Sequence, residues 1–198
     1  MKLRTFFVIP AILTASLVLA GCTAGSGASA PPQSTTSSSV TEDFNSADVM
    51  FAQMMVPHHV QAVEMSDVIL AKEGIDPRVV TLAEEIKAAQ QPEIDALNGM
   101  IEAWGMPPAA TDGMDMGHGG HMDGMMTEED MAALDAATGT EASRLFLEQM
   151  IVHHEGAVEM AQLQVDSGVN PDAVTMAQAI IDAQNVEIET MREILQSL

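Results

Sequence analysis

Hydrophobic residues recur every three or four positions between about residues 78 and 103. This spacing places them on one face of a helix, which turns by roughly 100° per residue. The apolar positions are Val79, Ala83, Ile86, Ile94, Leu97, Ile101 and Trp104. Three more long helices are predicted over about 46–72, 141–167 and 172–197. A short helix is predicted near 128–137, where Thr127 and Asp130 have the spacing of a capping box.

The helical pattern is duplicated along the chain. "FAQMMVPHHVQAVEM" (51–65) matches "FLEQMIVHHEGAVEM" (146–160) at a fixed offset. The match continues through the joints "GIDP" and "GVNP", where glycine suits the left-handed residue that ends a helix. Asp76 or Asn170 can cap the helix that follows, and proline suits its first turn. Each repeat is therefore predicted to be a helical hairpin, and two hairpins predict an all-α four-helix bundle.

The N-terminus has the features of an export signal. Lys2 and Arg4 precede the apolar run 6–20, which is too short for a comfortable membrane span. The run ends in "LAGC", which resembles the lipobox of bacterial lipoproteins, so we expect Cys22 to be lipidated and to anchor the protein on the extracytoplasmic face of the membrane. Cys22 is the only cysteine, so an intrachain disulfide is excluded.

Composition divides the rest of the chain. A Ser/Thr/Gly/Pro-rich stretch cannot build a core and is typical of a flexible tether. The predicted organisation is a signal peptide at 1–21, a tether at 22–41 and a bundle domain at 42–198. The bundle domain consists of repeat one at 44–104, a Met/His-rich crossover loop at 105–127 and repeat two at 141–198.

The chain is strongly acidic, with a formal net charge of −22. Nucleic acid is an unsuitable partner because phosphate binding requires basic patches. A cationic partner or a metal ion fits the charge better, although a solvated acidic surface that aids solubility explains most of it. The sequence leaves the oligomeric state open.

Histidine and methionine share one face of the first helix of each repeat. With His58 as reference, Met54, Met55 and Met65 lie within about 60° of it, and His59 lies near 100°. Repeat two places its equivalents at the same angles, and they are Met150, His153, His154 and Met160. Methionine at this spacing is usually core filler, and histidine on an apolar face is usually structural. Two His-His pairs in matching repeats also predict metal binding by at least one histidine of each pair.

The second helix of each repeat carries polar residues within its apolar stripe. Gln90 and Glu93 lie there in repeat one, and Gln184 and Glu187 in repeat two. A carboxylate in such a stripe needs a partner. It could orient a ligating histidine from behind or bind the metal itself. A salt bridge or an interhelical hydrogen bond would satisfy it equally well.

The crossover loop gathers further soft ligands among glycines and aspartates. They are Met106, Met114, Met116, His118, His121, Met122, Met125 and Met126. No helical or strand periodicity accounts for these methionines. Thioethers select Cu(I), or the similar Ag(I), over zinc or magnesium, and they need no deprotonation. The loop therefore predicts copper capture, and a disordered low-complexity linker is the alternative.

These motifs resemble a known family. "FNSADVMFAQMMVPHHVQAVEMS" and "FLEQMIVHHEGAVEMA" resemble the two signatures of the bacterial "domain of unknown function 305" family, and "MIEAWG" resembles the end of its second helix. The resemblance implies a ferritin-like four-helix bundle located in the cell envelope, and some members are associated with copper binding or resistance. It implies a site formed by Met55, His58, His59, Met65 and their repeat-two equivalents.

The chain departs from the family pattern at one position. A Phe-Asp pair is expected before "FLEQM", but Ala142 and Ser143 stand there, so Asp48 has no acidic counterpart. A role that requires both aspartates is therefore not expected to carry over.

Three functions follow from these observations. The first is a lipid-anchored protein that sequesters Cu(I) or passes it to a copper-handling partner. The second is a ferritin-like di-metal oxidase or metal oxidoreductase with iron as its metal, but no Glu stands three residues before any histidine, as such sites require. The third is a structural or interaction lipoprotein without a metal. No nucleophile with its base is recognised, so no enzyme activity is predicted.

Overall fold

The computed structural model describes residues 43–110 and 124–198, and this part of the chain is all-helical. Five helices follow one another along it. They are α1 (Ser46–Leu70), α2 (Pro77–Ala103), α3 (Glu128–Ala136), α4 (Gly139–Ser167) and α5 (Pro171–Leu195). The predicted all-α class and the short helix after the crossover are confirmed, and the boundaries differ from the predicted ones by only a few residues. None of the five has the length and apolarity that a membrane span requires.

Polar caps fix where the helices begin. Asp76 accepts a hydrogen bond from the amide of Arg78 at the start of α2, and Asn170 accepts from two amides at the start of α5. Thr127 and Asp130 form the predicted capping box at α3. Gly74 has the expected left-handed conformation, with φ of 75°.

The prediction of a left-handed residue at Gly168 is wrong. Its φ is −70°. A Cβ atom at this position would lie 2.7 Å from the carbonyl oxygen of Gln164. Glycine is therefore required here because the chain passes close to the last turn of α4, and no left-handed turn is involved.

The two hairpins meet through the antiparallel helices α1 and α4. One apolar cluster contains Met65 from late α1 and Phe146 from early α4. The other cluster contains Met55 from early α1 and Ala157 from late α4. Each cluster therefore occupies one end of the bundle. The histidines of both repeats lie in the turns between these ends, as a polar layer across the middle.

Each repeat also holds the interhelical turn of the other. The buried carboxylate of Asp48 at the start of α1 accepts hydrogen bonds from the backbone amides of Val169 and Asn170, at 3.2 Å. At the equivalent position of repeat two, the hydroxyl of Ser143 accepts from the amide of Asp76 at 3.1 Å. Ser143 thus makes the corresponding contact with the other turn, so a hydroxyl here serves the role that a carboxylate serves in repeat one.

Candidate metal site

The centre of the polar layer is a pair of histidines from different repeats. The imidazole rings of His58 on α1 and His153 on α4 have centroids 3.8 Å apart and planes tilted by 40°. Both side chains are buried. Because equivalent residues of two repeats touch each other, this contact lies on the axis that relates the hairpins. The two repeats thus contribute one imidazole each to a single place in the core.

Burial keeps His153 in the form that binds metals. The pKa of His153 lies well below its ordinary value of 6.5, chiefly because burial disfavours the charged ring. Repulsion from the charged forms of His58, His154 and His59 lowers the pKa further. His153 is therefore neutral at physiological pH, and a neutral imidazole can bind a metal ion without first losing a proton.

The second histidine of each pair is held by a carboxylate from the adjacent helix. The Nε2 atom of His59 lies 2.7 Å from an oxygen of Glu93, and the Nε2 atom of His154 lies 2.7 Å from an oxygen of Glu187. This confirms the expectation that the two glutamates need partners. An ionised carboxylate only accepts, so in the neutral form of each ring Nε2 carries the proton and Nδ1 carries the lone pair. Neither Nδ1 atom has a hydrogen-bond partner among the described residues.

Gln90 and Gln184 complete the polar layer one turn before the glutamates. Both side chains are buried. Among the residues that the structure describes, the side-chain nitrogen and oxygen of Gln90 have no hydrogen-bond partner, and the side-chain oxygen of Gln184 has none either. Buried amides without partners are costly, so these positions are suited to a ligand or to a rearranged histidine.

The predicted methionine ligands lie on both sides of the histidine layer. Met65 and Met150 belong to one apolar cluster, and Met55 belongs to the other, where Met160 packs half-buried against it. These four side chains satisfy the core-filling explanation. They also place thioethers in the helical turns that flank His58 and His153. Met54 lies elsewhere, in a surface groove at the start of α1.

The four described histidines meet as pairs. Within residues 43–110 and 124–198, no three His, Cys, Asp or Glu side chains converge as a metal site would require. A carboxylate-rich centre of the di-iron kind is therefore not assembled in this part of the chain. An ion in the polar layer would need imidazole together with thioether, or a rotation of the His58 and His153 rings that now touch.

The crossover returns to the bundle beside the histidines. Gln61 accepts a hydrogen bond from the backbone amide of Met126 at 2.7 Å and donates one to its carbonyl at 2.8 Å. A Cβ atom on Gly124, whose φ is 87°, would lie 2.8 Å from the carbonyl oxygen of Val152 and 3.0 Å from that of His153. The exit of the crossover is thus seated against the backbone of the His153 turn, with Met125 and Met126 half-buried.

Sequence reasoning missed Gln61 and Gly124. The signal was present in the repeat itself, because Gln61 corresponds to Gly156 between the matching His-His and Ala-Val-Glu-Met segments of the duplication. Several predicted residues lie outside the described part of the chain, so their predictions stay open. They are Cys22, Met114, Met116, His118, His121 and Met122.

The chain matches the family model described as a domain of unknown function, DUF305, over residues 48–195. It therefore belongs to this family. Two solved members are similar to it: a DUF305 fragment from Deinococcus radiodurans and a putative secreted DUF305 protein from Streptomyces coelicolor. The first shares 31% identity with a TM-score of 0.69, covering 78% of this chain and 98% of that one. The second shares 31% identity with a TM-score of 0.68, covering 76% and 91%.

A further similar structure is CopM in its Cu(I)-bound form. It shares 30% identity with a TM-score of 0.61, covering 76% of this chain and 96% of that one. CopM has also been solved in Cu(II)-bound and Ag-bound forms. None of the curated proteins compared matches the chain.

Proposed function

We propose that this protein binds Cu(I), or Ag(I) in its place, in the polar layer at the centre of its bundle, and that it sequesters the ion or passes it on. The observation that carries the proposal is the contact between His58 and His153, two buried imidazoles contributed by equivalent turns of the two repeats. The similarity to CopM, which was solved with Cu(I) and with silver, supports the choice of metal.

The chemistry of the layer favours a soft monovalent ion. His153 is neutral, and the tautomer of His59 and His154 leaves Nδ1 free to donate a lone pair. The thioethers of Met55, Met65 and their repeat-two equivalents prefer Cu(I) to zinc or magnesium. All of these ligands are uncharged, so a monovalent ion brings less charge into the core than a divalent one would.

The carboxylates behind the histidines offset that charge. Glu93 and Glu187 each lie 2.7 Å from an imidazole nitrogen and are only partly exposed. Carboxylates in this position fix the ring orientation and raise the basicity of the ligating nitrogen. In this proposal they orient His59 and His154 toward the ion and do not bind it themselves.

We place this activity in the cell envelope, with the chain exported and anchored through lipidated Cys22. The Met/His-rich crossover captures copper in this scheme, through His118, His121 and the neighbouring methionines. Its exit is seated on the His153 turn. Release to a copper-handling partner would proceed by ligand exchange, which exposed thioethers permit.

The proposal is tested by titrating the protein with Cu(I) against a competing chelator, alongside Zn(II) and Fe(II). We expect tight, Cu(I)-selective binding, and the double variant His58→Ala/His153→Ala should lose the share of that binding that the bundle holds. A second variant without residues 113–123 keeps the seated exit of the crossover and separates the loop from the bundle. Removing that segment lowers the stoichiometry but leaves the bundle site.

Two results would overturn the proposal. A preference for Fe(II) would favour the di-metal oxidase. Unaltered metal affinity in the histidine variant, with reduced thermal stability alone, would mean that the histidines serve packing. His58→Gln/His153→Gln repeats the test with a smaller change in volume, in case the alanine variant does not fold.

A further inference from the structure

A groove rich in methionine lies beside the histidine layer, at the start of α1. It has a volume of about 500 Å³, and its walls include Met50, Met54 and Met106. Met50 is exposed over 61% of its surface. Phe44 and Val49 supply further apolar wall, and Gln53 supplies an amide. None of the described residues that line the groove is charged.

The chain leaving α2 holds the third methionine in place. Gly105, with φ of 67°, turns the backbone, and the amide of Met106 donates to the carbonyl of Ile101 at 3.0 Å. The side-chain amide of Gln53 then donates to the carbonyl of Pro107, also at 3.0 Å. The first methionine of the crossover is therefore held beside α1 by the backbone around it, in the same groove as Met50 and Met54.

Two methionines of the groove lie one and two helical turns before His58 on α1. Met50, Met54 and His58 are spaced four residues apart on α1, so each lies about 5–6 Å from the next along one helical face. Exposure falls along this row: Met50 is exposed, Met54 is half-buried and His58 is fully buried. A soft ion bound by the thioethers at the surface would thus be one helical turn from the first imidazole.

Repeat two lacks this row. Met50 corresponds to Leu145, which packs against the core, and Met54 corresponds to Gln149, which is buried and donates to the carbonyl of Asp130 on α3. His58, by contrast, corresponds to His153. The methionines of the groove are therefore not required by the packing that the repeats share, and the access that they provide is confined to one side of the bundle.

We propose that Met50, Met54 and Met106 form a separate thioether site for Cu(I) or Ag(I), through which the ion enters the bundle toward His58. Three uncharged sulfur ligands in a groove whose described lining residues include no carboxylate select a soft monovalent cation over Mg²⁺, Ca²⁺ or Zn²⁺. This inference rests on the proposed function, because the groove supplies a route only if the histidine layer binds the ion. It assigns the groove its own ion, distinct from the ion in the core.

The test is an Ag(I) titration of the protein carrying ¹³C-labelled methionine methyl groups. We expect the methyl signals of Met50, Met54 and Met106, assigned by single substitution to leucine, to shift together. The variant Met50→Leu/Met54→Gln carries the residues of repeat two and should lose one Ag(I) equivalent while the imidazole signals still respond. Met176→Leu, a half-buried methionine on α5 outside the groove, is the matched control and should lose none.

The outcomes separate this inference from the proposed function. Imidazole signals that respond while the groove methyl signals stay fixed overturn the entry site and leave the core site standing. Groove signals that shift without any imidazole response overturn the route to His58 and the proposed function together. An unchanged Ag(I) stoichiometry in Met50→Leu/Met54→Gln also rejects the groove as a site and leaves it as a surface for another chain or for the crossover.

Discussion

Gln61 and Gly156 occupy the same position in the two repeats, and both receive the chain that leaves the Met/His-rich crossover. Gln61 pairs with both backbone polar groups of Met126. Gly156, which has no side chain, leaves room for Gly124. The two backbones are so close that a Cβ atom added to Gly124 would lie 2.9 Å from the α carbon of Gly156. The duplication is broken here because a single segment has to fit between two equivalent surfaces. One repeat supplies the hydrogen bonds, and the other supplies the space.

Replacing Gly124 with alanine should release this segment from the bundle. The new methyl group would meet the carbonyl oxygen of Val152 at 2.8 Å, and φ of 87° is strained for alanine. We expect a loss of about 1–3 kcal/mol in the free energy of unfolding, measured by chemical denaturation. Hydrogen exchange at Met125 and Met126 should rise as well.

Gly99→Ala is the control for that substitution. Gly99 lies in α2, and a Cβ atom there meets nothing within 4 Å. Alanine should therefore stabilise the protein by about 0.5–1 kcal/mol through helix propensity alone. Equal and small effects at both glycines would contradict the seating of the crossover exit on α4.

The carboxylates that hold His59 and His154 should govern metal affinity more than stability. Glu93→Gln/Glu187→Gln removes the negative charge and frees the imidazole tautomer, so Cu(I) affinity should fall by about 10–100-fold. Chelator competition measures the change. Glu64→Gln/Glu159→Gln alters two exposed glutamates on the neighbouring helices and should leave the affinity unchanged. Equal effects in the two variants would mean that net charge, and not orientation, is responsible.

His153 should make the metal-free protein sensitive to mild acid. Its pKa is lowered in the folded state, so below the ordinary value of 6.5 the unfolded chain binds a proton that the folded one does not. Stability should therefore fall as the pH drops below about 6.5. In His153→Leu this part of the loss should be absent, as judged by urea denaturation over the same pH range. An unchanged profile would contradict the neutral buried ring.

Asp48 should contribute at lower pH. Burial raises the pKa of Asp48, but hydrogen bonds from Gln164 and from the amides of Asn45, Val169 and Asn170 outweigh it and hold the pKa below 3.8. Its contribution is present above that value and is lost as the pH falls through the lowered folded-state pKa. Asp48→Asn should cost about 1–3 kcal/mol at pH 7, because it weakens buried hydrogen bonds. Exposed Asp95→Asn, the control, should cost little.

Local signals in the sequence were sufficient for the helices and for placing a histidine pair on the first helix of each repeat. Hydrophobic periodicity and the caps at Asp76, Thr127 and Asn170 predicted the helices. A carboxylate within an apolar stripe needs a partner, and Glu93 and Glu187 each contact a histidine. The packing of Gly124 against α4 and the groove at Met54 were not predictable. The spacing of residues along one helix shows which of them share a face, but it does not show which part of the chain packs against that face. The left-handed conformation predicted for Gly168 was wrong for a related reason. Glycine is required there because the chain passes close to Gln164.

The contact between His58 and His153 joins residues that two separate hairpin chains could also bring together, as a symmetric dimer. In such a dimer the site would exist only above the concentration at which the chains associate. Covalent linkage makes the meeting of the two imidazoles intramolecular, and the effective concentration then depends on the connection between the repeats. A protein built this way keeps its two imidazoles together at any dilution, even when few copies of it are present.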